Sequence, residues 1–236
     1  MISASEINST PATKLNQQQT AVRLTCEVVL VLILALTLIN LSSNIFSGRG
    51  DWLIVPVIFV ALALVPTRLR KVKLTETGLN FKHLKSALLL PLVVSLIIFP
   101  VTVVGLLILR HFNLAAPLIP QVPSELWLSW IFYQVMYIAV AEEIFFRGYC
   151  QSTIYQILVS LNFKNPPRQA YLPIIFSAGI FALAHVALAN NLLAIVTFFP
   201  GIILGWLFLR TKSVIAPIIF HALANIFYAG VTHWLV

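Results

Sequence analysis

The chain has 236 residues, of which 60% are hydrophobic and only 9% are charged, and its mean hydropathy is +0.96. Ordinary globular domains carry about 25% charged residues, so this composition excludes a water-soluble enzyme and makes lipid the solvent. The net charge of +8 raises the question of nucleic acid, which the placement of the charges answers below.

Residues 1–20 are polar and are expected to be a disordered tail. Apolar runs of about 20 residues then recur to the end of the chain, the length that crosses a bilayer. Backbone groups in lipid need partners within their own segment, so the runs are expected to be helices. Long Leu/Ile/Val/Phe blocks without alternation argue against a β-barrel. The fold expected is all-α, a polytopic bundle of about seven spans. The first covers about 22–41, with no small-residue cleavage site after it. The second covers 52–66, and the third covers 86–109, kinked at Pro91 and Pro100. A fourth begins near 126 and passes through Glu142 and Glu143. The fifth covers 171–189, the sixth 192–209 and the seventh 214–235. Cys26 and Cys150 lie in or beside these runs and form neither a disulfide framework nor a cysteine-based zinc site.

Lys and Arg in short loops set orientation. With the N-terminus cytoplasmic, the loop after the second span places Arg68, Arg70, Lys71, Lys73, Lys82 and Lys85 inside. Lys14, Arg23, Arg147, Lys164, Arg168, Arg210 and Lys212 join them, and only Arg49 and Arg110 fall outside. The basic charge is therefore topological, with anionic lipid headgroups as its natural contact, and no nucleic-acid partner is expected. No internal repeat suggests a transporter of the inverted-repeat type.

Ionisable groups within a membrane are costly and are functional candidates by default. Three patterns carry them: Glu142-Glu143 followed by Arg147, Phe181 followed by His185, and His221 followed by Asn225. Glu143 and Arg147 are four apart, in the favourable order for a helical ion pair. Glu142 lies about 100° around the helix from Glu143, so it points elsewhere. Two adjacent carboxylates in low dielectric do not both ionise cheaply, and one that resists ionisation suits general-base work near neutral pH. His221 and Asn225 share a helix face. They suit an oxyanion site, or the histidine suits a metal. A carboxylate, two imidazoles and an amide from three helices fit water activation and hydrolysis of an amide.

Depth selects the frame of the fourth span. If it ends at 146, Glu142 lies at the inner surface, far from His185. If it runs about 131–161, Glu142 lies about 16 Å from the outer end, near mid-membrane. The second frame is preferred. Glu27, in the first span, is left to snorkel or to pair with Arg23. His83, His111 and His233 lie near expected interfaces and are given no role.

The three patterns resemble those of the CPBP family (CAAX proteases and bacteriocin-processing enzymes), in order and over roughly residues 125–230. The stretch from Gly205 to Asn225 is also similar to that family. The resemblance implies an intramembrane endopeptidase, with residues 21–124 as N-terminal helices and 125–236 as the catalytic core. By this resemblance Glu142 activates the attacking water with His185 as partner, and His221 and Asn225 stabilise the oxyanion. Glu143 and Arg147 hold the site. No cofactor is expected, since the stronger zinc signal His-Glu-x-x-His is missing, with a divalent metal such as zinc as the alternative. The partners implied are membrane lipids and a membrane-associated protein or peptide substrate, in a prokaryotic plasma membrane. A non-catalytic bacteriocin-immunity or scaffold relative is the alternative function.

Overall fold

The computed structural model describes residues 11–45, 51–113, 126–163 and 165–235. Residues 1–10, Arg49, Lys164 and the side chain of His233 lie outside them. The described residues form seven long helices: α1 Pro11–Ile45, α2 Asp51–Leu69, α3 Leu84–His111, α4 Trp127–Ser160, α5 Pro166–Ala189, α6 Leu192–Thr211 and α7 Ile215–Leu235. Six are long and apolar enough to cross a membrane; α2, apolar over Ile54–Leu69, is shorter. The protein is a helical, multi-pass membrane bundle.

Helix α1 begins at Pro11, well before the expected span, so residues 11–20, expected to be disordered, are helical. Ala21 and Leu24 are buried, and α1 lies along the last turns of α4. Leu24, Val28, Val31, Ala35 and Ile39 then form one buried stripe at helical spacing. Leu30, Ile33 and Leu34, between them, are exposed and face the lipid side.

Helix α3 is continuous through Pro91 and Pro100. It lies against α7, with the Phe99 and Phe227 rings stacked at 4.3 Å. Helix α5 starts at a capped turn: Asn165 accepts from the Arg168 backbone N–H, and Pro166 and Pro167 occupy the first positions, where their missing N–H groups cost nothing. Helices α5 and α6 approach closely through small residues, the usual device where apolar side chains give no preference for protein over lipid. A Cβ on Gly205 would lie 2.9 Å from the Ile174 side chain, so only glycine fits there.

The loop after α2 is not a free basic segment. Gly78 adopts φ +82°, a conformation glycine reaches without strain, and its carbonyl accepts from the Val214 N–H at 3.0 Å. Asn80 donates to the Lys212 carbonyl at 2.9 Å, and Ser213 donates to the Asn80 carbonyl at 3.2 Å. These bonds pin the turn between α6 and α7, six residues before His221.

Candidate active site

Helix α4 runs from Trp127 through Ser160 and so includes the apolar tail that the longer frame requires. Glu142 falls near its middle. The helix is not regular. Two π-helical stretches, Gln134–Ala139 and Ile144–Gln151, flank a single α-helical turn, Val140–Glu143, that carries both glutamates. π-Helical turns recur at functional sites and replace the usual i→i+4 bonds with i→i+5 bonds. The Phe146 carbonyl also accepts from the Ser177 hydroxyl of α5, at 2.7 Å.

Glu143 and Arg147 are fully buried. Arg147 Nε donates to Glu143 Oε2 at 3.0 Å, as the four-residue spacing predicts. Arg147 Nη1 donates to Ser177 Oγ at 3.0 Å, and its guanidinium lies 5.1 Å from the centre of the Phe181 ring. The other oxygen of Glu143 has a partner that local spacing does not reveal. His221 Nδ1 lies 2.8 Å from Glu143 Oε1. The carboxylate accepts, so Nδ1 carries the hydrogen and Nε2 faces away from Glu143. Glu143 thus joins α4 to α7, and Arg147 joins α4 to α5.

Glu142 points to a different side. Its Oε2 is buried with no hydrogen-bond partner among the protein groups. His185 Nε2 and His221 Nε2 each lie 3.9 Å from that atom. This exceeds a direct hydrogen bond. His185 Nδ1 lies 2.9 Å from the Phe181 carbonyl. A carbonyl only accepts, so Nδ1 donates, and neutral His185 presents a lone pair at Nε2. The Phe181 ring packs on both imidazoles, at 4.3 Å from His185 and 6.0 Å from His221. The His185 side chain is 30% exposed, against 12% for Glu142 and 8% for His221. The site therefore opens on the His185 side and is closed beneath by Glu143 and Arg147.

Asn225 lies one turn beyond His221 on α7 and donates from Nδ2 to Gln134 Oε1 at 2.8 Å. Glu142, Glu143, Arg147, His185 and His221 thus meet between α4, α5 and α7, while Asn225 meets α4 at Gln134. Among the described residues no group of three or more His, Cys, Asp or Glu side chains is placed to hold a metal ion.

Three polar positions escaped the sequence reading. Gln134 and Ser177 are uncharged residues within apolar runs, two turns before Glu142 and His185 respectively. A search for ionisable groups passes over them, although a polar residue in a span is itself a signal. The third concerns Glu27, which pairs away from Arg23. It lies 3.4 Å from Arg70 Nε and accepts from the Tyr149 hydroxyl at 3.0 Å. Arg70 also donates to Thr153 and Gln156 of α4, at 3.1 Å and 3.2 Å. One residue of the basic loop is thereby buried and ties α1 and α2 to the helix of the glutamates.

Residues 123–227 match the family model described as type II CAAX prenyl endopeptidase, Rce1-like. This is the CPBP family to which the three patterns bear their resemblance. The matched stretch contains Glu142, Glu143, Arg147, His185, His221 and Asn225, and leaves α1 to α3 outside. The matched stretch is thus similar to the CAAX-protease-like intramembrane endopeptidases that this family model describes. No curated protein and no solved structure matches the chain.

Proposed function

We propose, on the premise of that family match, that the protein hydrolyses a peptide bond of a membrane-associated protein or peptide. Glu142 serves as general base. A water held between Glu142 Oε2 and the two Nε2 atoms loses a proton to the carboxylate, and its oxygen attacks the scissile carbonyl carbon. A gap of 3.9 Å to each imidazole suits groups that meet through one water rather than directly. His185, with Nδ1 donating to the Phe181 carbonyl, accepts the second hydrogen of that water at Nε2.

As the C–O bond forms, charge develops on the carbonyl oxygen. The Asn225 amide and His221 Nε2 stabilise it. His221 Nδ1 is committed to Glu143, so Nε2 donates only from the imidazolium. The Glu143 carboxylate at 2.8 Å compensates that cation. Collapse of the intermediate breaks the C–N bond, and the proton held by Glu142 passes to the leaving amine. No metal enters this sequence. We place the N-terminus on the cytoplasmic side of a prokaryotic plasma membrane, as the charge asymmetry suggests.

The observation that carries the reading is the convergence of two imidazole Nε2 atoms on the one unpartnered, buried oxygen of Glu142. The test uses the full chain in liposomes with internally quenched peptides, one ending in a farnesylated CAAX sequence and others bearing an unmodified apolar segment. Glu142→Ala and His185→Ala should each lower cleavage by about 100-fold or more, the usual contribution of a positioned base. Full activity in either variant would refute the mechanism.

A further inference from the structure

Asn225 serves an oxyanion only if its amide nitrogen, rather than its oxygen, faces the reacting carbonyl. An asparagine side chain ends in a donor and an acceptor of nearly the same shape. Left to itself it can present either. Something must therefore fix its rotation, and the group that meets the Asn225 amide is Gln134.

The contact is well placed for this. Gln134 Oε1 takes one of the two hydrogens of Asn225 Nδ2 at 2.8 Å. The other hydrogen stays available in the plane of the same amide. Gln134 opens the first π-helical stretch of α4, and that stretch packs against α7. In a regular α-helix, positions eight apart lie about 80° past a whole number of turns. The i→i+5 bonds of a π stretch take up part of this excess. Gln134 and Glu142, eight apart, consequently both face α7: Gln134 meets Asn225, and Glu142 meets His221. The distortion of α4 thus sets the base and the amide's support on one side of the helix.

We infer that Gln134 is a positioning residue, acting through Asn225, that holds the Asn225 amide in its donor orientation toward the reacting carbonyl. The inference rests on the proposed hydrolysis. Gln134 acts in this arrangement through its bond to Asn225, so its effect belongs to the chemical step and not to binding.

The experiment is a double-mutant cycle on the full chain in liposomes, with the same quenched peptides. Gln134→Met keeps the length of the side chain and removes the acceptor. It should lower kcat about tenfold, the scale of a mispositioned catalytic group, with KM within about twofold. In an Asn225→Ala background the same change should cost nothing further, because no amide remains to orient. Gln134→Glu keeps an oxygen facing the amide and should hold kcat within about threefold of the parent. A residue with only a structural role would instead lower activity by the same factor in both backgrounds. That additive result, an unchanged kcat in Gln134→Met, or a loss in Gln134→Glu as deep as in Gln134→Met would overturn the inference. Glu142→Ala, run alongside, separates the two claims. Loss of cleavage there with no kcat effect at Gln134 removes only the positioning role, whereas full activity there removes the hydrolytic reading and this inference with it.

Discussion

Replacing Arg147 with leucine tests whether the charges beneath the site are as interdependent as their geometry implies. Arg147 and Glu143 are each 0% exposed and joined at 3.0 Å. In Arg147→Leu the Glu143 carboxylate keeps His221 as a partner but loses the guanidinium. Ser177 loses the group to which its oxygen was an acceptor. Breaking a buried pair from one side costs about 3–5 kcal/mol, because the remaining charge is left uncompensated. At 1.4 kcal/mol per decade this is a fall of about two to three and a half orders of magnitude in the folding equilibrium. The double variant Glu143→Gln with Arg147→Leu removes both charges and leaves an amide oxygen to accept from His221. It should cost only about 1–2 kcal/mol, so the cycle should show a coupling of at least about 2 kcal/mol. Reversible unfolding in mixed detergent micelles, followed by tryptophan fluorescence, reads both quantities. An Arg147→Leu protein within about 1 kcal/mol of the parent, or a double variant falling by the sum of the single losses, would refute the reasoning.

Two further substitutions test how the site is supported. Ser177→Ala removes the hydroxyl that donates to the Phe146 carbonyl and accepts from Arg147 Nη1. It should lower stability by about 1–3 kcal/mol, and an unchanged unfolding midpoint would mean that the π-helical carbonyl does not need this partner. Gly205→Ala places a Cβ 2.9 Å from both Ile174 and Gln151, at the contact where Gln151 donates to the Gly205 carbonyl. Forced separation of α6 from α4 and α5 should cost about 1–3 kcal/mol, read as a lower midpoint in the same assay.

Much of the bundle was legible in the sequence because lipid leaves few choices. A run that must satisfy its own backbone is a helix, and its length follows from the bilayer. The Glu143–Arg147 pair was legible for a local reason, since four residues of helix bring the two side chains together whatever surrounds them. The longer frame of α4 followed from depth alone. Local reasoning failed where the partner lies far along the chain. Glu27 was compared with Arg23, its neighbour one turn away, yet its contacts are Arg70 and Tyr149. Residues 11–20 read as a polar tail because polar composition carries no span signal, yet they continue α1 as helix.

What the sequence determined by itself, then, is a set of apolar helices and the six polar residues that interrupt three of them. The tertiary structure decided how those residues divide their work. Glu143 serves two helices, bonding Arg147 on its own and His221 seventy-eight positions away. Glu142 is left with an unpartnered oxygen facing two imidazoles. Asn225 is held by Gln134 across ninety-one positions. Helical periodicity places side chains on a face, but it does not say which face of which other helix lies opposite. Only packing supplies that, through glycines that admit close approach and π-helical turns that rotate part of α4 relative to the rest.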